Sequence, residues 1–244
     1  MANTFFRFKQ FTVHQELCAM KVSTDACIFG GIVAPALAKY AQLQPDKLLT
    51  YLDIGTGTGL LSLMIAQKTT GTIYAVDIDA GAAEQAAKNI AASIYAEKIS
   101  VFKDDILQFK PLNNPDGIFC NPPFYEADLH SPDEQKNAAK HDTHLTLQPL
   151  ADYVAKQLKP DGLFAILLPY QRINEFIEMA LNSGLFLSEK ILVRHSAKHT
   201  FFRGILFFTK TETAVLNSTL IIRNEEGTYS DEFILLLRDY YLNL

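Results

Sequence analysis

The sequence predicts an α/β protein built on a mostly parallel sheet with helices on both faces. Three observations carry that expectation. From Leu49 onward, short apolar runs alternate repeatedly with helical patterns, which right-handed crossovers turn into a parallel sheet. The first run passes through Asp53-Ile54-Gly55-Thr56-Gly57-Thr58-Gly59 into an apolar helical pattern. Near the end, Leu185–Val193 and Phe201–Phe208 follow one another with only Arg194 to Thr200 between them, so they pair antiparallel.

Taken in order, Phe5, Phe6, Phe8 and Phe11 cluster ahead of Met20-Lys21-Val22-Ser23-Thr24-Asp25. Thr24 or Asp25 can cap a helix running to about Tyr40. Pro45-Asp46 breaks the chain before strand Leu49–Ile54, and a helix follows from about Leu60 to Gln67. Strand Thr72–Val76 ends on Asp77, and the alanine-rich stretch Ala80 to Tyr95 favours helix. Ile99–Phe102 and Asp116–Cys120 are short strands, the second leading into Asn121-Pro122-Pro123-Phe124. Glu126 to His144 is polar and without period. Leu147 to Leu158 reads as helix, Leu163–Leu168 as a strand buried on both faces, and Ile173–Asn182 as a helix ended by Gly184. Leu220–Ile222 adds an edge strand, and Asp231 to Tyr241 a last helix behind a capping Ser230.

A chain of 244 residues, 48% hydrophobic, can bury one large core and is not of the disordered type. Three widely spaced cysteines, Cys18, Cys27 and Cys120, make no zinc or redox pair, and no His/Cys/Asp/Glu cluster has metal spacing. No apolar run approaches the roughly 20 residues of a membrane span. The chain is therefore expected to be soluble, cytoplasmic and metal-free. A net charge of −5 does not advertise nucleic-acid binding. Basic residues nonetheless gather in two places: Lys136, Lys140, His141 and His144, and then Arg194, His195, Lys198, His199 and Arg203. Both segments are expected near the ligand edge of the sheet, where phosphate contacts would supply affinity.

The glycine turn places free backbone N–H groups and a helix dipole at one point, a construction that receives nucleotide-like ligands. The dinucleotide fingerprint G-x-G-x-x-G would put its third glycine where Leu60 stands. Asp53 would also be unwelcome beside a pyrophosphate and suits a ligand with a cationic amino group. This D-x-G-x-G-x-G pattern resembles motif I of the S-adenosylmethionine-dependent methyltransferases, and the antiparallel strand of the closing hairpin resembles their seven-stranded, Rossmann-like sheet. The candidate donor-binding residues are Asp53, Gly55, Thr56, Gly57, Gly59, Ile78 and Asn121, with Asp77 for the ribose. Asp105, beside Asp104, and Ile106 are candidates for an adenine ring. A nicotinamide dehydrogenase would use Asp77 equally well, but it leaves Asn121–Phe124 without a role.

After the fourth strand, Pro122 and Pro123 fix the backbone and remove two N–H donors. That leaves carbonyl oxygens facing outward at the carboxyl edge, beside the Asn121 side-chain oxygen. Two acceptors can hold the two hydrogens of a planar NH2 group while Phe124 stacks on its ring. The pair of motifs resembles the N-P-P-[FY] amino-methyltransferases, with Asn121, Pro122, Pro123 and Phe124 as the catalytic stretch. Over nearly its full length the chain resembles the bacterial tRNA1(Val) (adenine-37-N6)-methyltransferases. That closer likeness rests on Phe6-Arg7-Phe8-Lys9-Gln10-Phe11, Met20 to Asp25, Tyr229 to Phe233 and Asp239 to Leu242.

The resemblance implies a class I methyltransferase with S-adenosylmethionine as donor and a tRNA adenine as substrate. It further implies one domain over residues 1–244, with 1–44 an extension covering the site and 45–244 the catalytic core. Gln10, Lys21 and Thr24 would lie near the donor or the entering base, and Lys136, Lys140, His141, Arg194, Lys198 and Arg203 would contact RNA. Methylation of protein glutamine, rRNA or DNA adenine is the alternative within this chemistry, and an RNA-binding module without activity the alternative outside it. The intact Asp53, Asp77 and Asn121 speak against the last.

Overall fold

The computed structural model describes residues 4–18, 20–122 and 146–244. Its strands and helices, in chain order, begin with a hairpin of β1 (Phe5–Arg7) and β2 (Thr12–His14) followed by α1 (Thr24–Gln42). Then come β3 (Thr50–Ile54), α2 (Leu60–Ala66), β4 (Thr72–Asp77), α3 (Ala80–Ala91), β5 (Ile99–Lys103) and β6 (Gly117–Cys120). The second half runs α4 (Leu147–Gln157), β7 (Leu163–Pro169), α5 (Ile173–Asn182), β8 (Phe186–Arg194), β9 (Phe201–Thr209), β10 (Leu216–Ile221) and α6 (Asp231–Leu237).

One sheet of 8 strands has the order β10-β8-β9-β7-β6-β3-β4-β5. Its strands are parallel except β9, which slots antiparallel between β7 and β8. The expected seven-stranded sheet thus gains β10, whose pairing with β8 is parallel. Only its tail was legible as a strand, because Leu216 to Thr219 are exposed and carry no apolar alternation.

Alternate side chains of the inner strands point to opposite faces. Tyr51, Phe119, Ala165, Leu167, Ile205 and Phe207 pack with α1, α2, α3, α6 and the β1–β2 hairpin. Leu52, Ile118, Cys120, Phe164, Ile166 and Phe208 pack with α4 and α5. Phe8, Phe11 and Val13 join the first of these clusters and Phe6 packs partly buried against it, whereas Phe5 is exposed.

Two helix ends differ from expectation. Ser23, not Thr24 or Asp25, caps α1, its hydroxyl accepting from the Ala26 N–H. The last helix stops at Leu237, because the residues after it are bound elsewhere: Lys9 N–H donates to the Tyr240 carbonyl and Phe8 bridges Tyr241. Among the described residues, no helix is long and apolar enough to cross a membrane.

Candidate active site

The parallel register lines up the carboxyl ends of the central strands. Ile54 lies opposite Val76 on one side and Cys120 on the other. The next residues in each strand are Gly55, Asp77 and Asn121, so these stand in a row across β4, β3 and β6. At the ordinary strand spacing the row from Asp77 to Asn121 spans about 10 Å.

Asp53 is fully buried on the α2 side of β3. One carboxylate oxygen accepts hydrogen bonds from Thr56 Oγ1 and Ser62 Oγ, each at 2.7 Å. The other, Oδ1, is buried and has no partner among the described residues. Burial pushes the carboxyl from 3.8 to about 6; the Ser62 and Thr56 hydrogen bonds oppose the rise, and the Asp77 charge adds to it. A buried acceptor left open costs free energy unless a ligand donor fills it.

The glycine turn is held by short backbone bonds. Gly55 and Thr56 donate to the Val76 carbonyl at 2.9 and 3.0 Å, and Gly57 donates to Asp77 Oδ2 at 2.7 Å. Gly55, Gly57 and Gly59 have φ of +69°, +56° and +80°, the left-handed region that glycine enters without steric cost. A Cβ placed on Gly55 or Gly57 would meet nothing within 4 Å, whereas on Gly59 it would touch Ala86 of α3 at 3.4 Å. The third glycine therefore serves helix packing, and the first two border an open cradle.

Asp79, not Asp77, caps α3 by accepting from Ala82 N–H. Asp77 is left facing the cradle, its two oxygens accepting from Gly57 and Asp79 N–H groups. Burial raises its pKa, the two backbone bonds opposing. Each carboxylate oxygen has a further lone pair for a ribose hydroxyl. Of the two isoleucines, Ile78 is 41% exposed at the end of β4, while Ile106 is 7% exposed and built into the cluster with Ile54, Val76 and Phe109. Asp105 is half-buried after β5 and accepts from Leu107 N–H.

Asn121 is half-buried and Pro122 buried. The Asn121 side-chain oxygen is enclosed and has no hydrogen-bond partner among the described residues. The expectations for Pro123, Phe124, Lys136, Lys140 and His141 lie outside the described residues.

The N-terminal stretch docks on α3 and passes the end of β4. Asn89 accepts from His14 N–H and donates to the His14 and Thr58 carbonyls, and Gln85 accepts from Leu17 N–H. Burial pushes the Cys18 thiol up to about 11, and the Asp77 and Asp79 charges push the same way against Lys21. Lys21 and Thr24 are exposed at this end of the sheet. Gln10, also exposed, lies elsewhere: it receives the Tyr95 hydroxyl, ahead of the opposite, N-terminal end of β5.

Arg203 lies opposite Pro169 at the carboxyl end of β7. Its Nε donates to Asp25 Oδ2 at 2.8 Å, so a residue expected to meet phosphate is engaged by the first turn of α1. Arg194 and Lys198 flank the same end of β8. Ser62 was not singled out from sequence, and Asp25 only as a possible helix cap. The signal for Ser62 was available, a lone hydroxyl in the otherwise apolar Leu60-Leu61-Ser62-Leu63-Met64.

Fold and site together define a class I methyltransferase. The methyltransferase small domain family matches residues 37–166. A tRNA1(Val) (adenine(37)-N6)-methyltransferase of Dyadobacter fermentans is 39% identical over 246 residues, covering 98% of this chain and 98% of the relative. Those of Phocaeicola vulgatus, at 37% with full coverage of both chains, and Pectobacterium carotovorum, at 35% covering 97% and 93%, bear the same name. The chain belongs to the methyltransferase small domain family and to the family of tRNA1(Val) (adenine(37)-N6)-methyltransferases. Among solved structures, a predicted O-methyltransferase of Agrobacterium tumefaciens superposes with TM-score 0.65 at 15% identity, covering 91% of this chain and all of that one. A magnesium protoporphyrin IX methyltransferase of Synechocystis, solved with S-adenosylmethionine bound, gives 0.53 at 14%, covering 81% and 89%. These two likenesses concern the fold.

Proposed function

We propose that the protein methylates N6 of adenine 37 in tRNA1(Val), taking the methyl group from S-adenosylmethionine. The observation that carries the substrate is the name shared by relatives at 35–39% identity over essentially the whole chain. The residues present fit the donor. The unpartnered Asp53 Oδ1 suits a cationic amine, the open cradle at Gly55 and Gly57 suits its amino-acid part, and Asp77 suits a ribose. Ile78 and Asp105 would bound the adenine of the donor, with Ile106 backing them from the core. Thr56 acts through Asp53, and Gly59 by letting α3 approach. Lys21 and Thr24 would close the site from the extension of residues 1–44, over a core of 45–244.

Bound S-adenosylmethionine supplies a methyl carbon made electrophilic by a positively charged sulfur. The protein's task is the nitrogen. The N6 lone pair of adenine is delocalised into the ring, so the amine is a poor nucleophile. The Asn121 side-chain oxygen and the Pro122 carbonyl would accept its two hydrogens, favouring a pyramidal nitrogen whose lone pair points at the cradle. Phe124 would stack on the base. One N6 proton leaves after transfer, so orientation and preorganised acceptors carry the reaction rather than a strong base. Arg194, Lys198 and the segment of Lys136, Lys140 and His141 would meet phosphates; Arg203 supports the same edge through Asp25. A tRNA-modifying role places the protein in the cytoplasm.

The test is incubation with labelled donor and total tRNA, followed by digestion to nucleosides. N6-methyladenosine in one tRNA species is expected. Asn121→Ala is expected to lower kcat at least a hundredfold while the donor still raises the melting temperature. Label in protein rather than RNA would overturn the substrate, and full turnover by Asn121→Ala the mechanism.

A further inference from the structure

The ends of β7, β8 and β9 carry aromatic surface that the methyl-transfer chemistry does not use. Tyr170, directly after β7, is 43% exposed, and its ring lies 5.6 Å from that of Phe201, the first residue of β9. The Arg194 guanidinium stands 5.4 Å from the centre of the same Phe201 ring. A second pair lies alongside, His195 stacked flat on Phe202 at 4.3 Å and 3°. Lys198 and His199 are exposed in the connecting turn. Phe202 packs against the core, which accounts for it, but core packing leaves the exposed face of Tyr170 unexplained.

The register places this cluster relative to the reacting base. Cys120 lies opposite Ile166, so Asn121 is level with Leu167, and Tyr170 follows three positions later in the adjacent strand's line. Tyr170 therefore stands one strand over and about 10 Å farther out than Asn121.

We propose that Tyr170, Phe201 and Arg194 form a stacking platform for an unpaired base flanking the target adenine. This inference rests on the tRNA reading above. An exposed tyrosine and a guanidinium that share one phenylalanine neighbour, with an exposed lysine in the connecting turn and the Asp25 carboxylate already taken by Arg203, complement a nucleobase with its phosphates. Aromatic faces accept any base, and RNA readers use them on splayed single-stranded loops. The platform holds the loop on one side while Asn121 draws the target base in from the other. It would supply affinity and register but take no part in the methyl transfer.

The experiment compares wild type, Tyr170→Leu and Tyr170→Phe, first by binding of tRNA transcript without donor, then by turnover. Tyr170→Leu keeps an apolar side chain without a stacking face. It is expected to raise the Kd and KM for tRNA about tenfold, leaving kcat and the KM for donor unchanged. Tyr170→Phe is expected to restore both. The slope of log affinity against log salt is expected to be unchanged in Tyr170→Leu and to fall in Lys198→Ala, since only the second removes a phosphate contact. An unchanged Kd in Tyr170→Leu, or failure of Tyr170→Phe to restore it, overturns the platform. If wild type binds tRNA in a Tyr170-dependent way yet transfers no methyl group to it, the platform stands and the proposed reaction falls. If wild type does not bind tRNA, both fall.

Discussion

Replacing Asp53 by asparagine separates what this residue costs the fold from what it gives the site. The carboxyl ionises near 3.8 in an unfolded chain and near 6 when buried without ligand, a difference worth about 3 kcal/mol against the charged form. The sign follows directly. From about pH 4 upward the unfolded state releases its proton first, so folding stability falls as pH rises and levels off above pH 6. About half of the 3 kcal/mol is lost between pH 5 and pH 8. Asparagine cannot ionise, so the variant lacks this component. Relative to the variant, wild type should lose about 1.5 kcal/mol over that interval, or about 3–6 °C in melting temperature for a chain of this size.

The same carboxylate should make donor binding pH-dependent in the opposite sense. A cationic ligand selects the charged form, so wild-type affinity for S-adenosylmethionine should rise about tenfold from pH 5 to pH 7. In Asp53→Asn it should be weak and flat. Urea denaturation and calorimetric titration at pH 5, 6, 7 and 8 measure both. Parallel stability profiles for the two proteins would refute the reasoning, because they would mean that Asp53 ionises alike in the folded and unfolded states.

Gly57→Ala adds a methyl group at φ +56° where nothing lies within 4 Å. It should cost about 1–2 kcal/mol of stability by denaturant titration, while donor Kd rises at least tenfold because the methyl group occupies the cradle. Asp25→Asn removes the partner of Arg203. Burial pushes the Asp25 carboxyl up, but its bonds to Ser23 and Arg203 outweigh that and hold it below 3.8. The side chains are 18% and 22% exposed, so loss of the pair should cost about 1–2 kcal/mol at pH 7. This component is present above pH 3.8 and disappears as pH falls through the lower folded value, so wild type and variant should converge in acid; a constant difference at every pH would exclude the ion pair as its source.

Sequence was most informative where the pattern is local. The glycine turn, the acid ending β4 and the Asn-Pro-Pro stretch are contiguous, and apolar runs buried on both faces mark β3, β6 and β7 without reference to partners. What escaped depends on distant chain. β1 and β2 are three residues each, too short for a period, and exist because Phe8, Phe11 and Val13 find the far side of the core. The helix after β4 ends at Ala91 rather than Tyr95, because Ser93 turns back on the Ile90 carbonyl and the Tyr95 hydroxyl is taken by Gln10. Thr24 looked like a cap only because the side-chain geometry that selects Ser23 is invisible in the letters. Arg203 looked free for phosphate because its partner Asp25 is 178 positions away.

Two acceptors at the carboxyl edge, Asp53 Oδ1 and Asn121 Oδ1, are buried without partners among the described residues, one on each of two adjacent strands. An unsatisfied buried polar group costs about 1–3 kcal/mol of stability. Relieving either one by an apolar substitution would be easy for a fold with this much core around it. Different ligands would relieve them: a cation at Asp53, an amino hydrogen at Asn121. The two substitutions should then separate the two ligands. Asp53→Asn should weaken the donor and spare tRNA affinity, whereas Asn121→Ala should spare the donor and abolish turnover. That crossed pattern is not what general loosening of the edge would produce, since loosening would weaken both ligands in both variants.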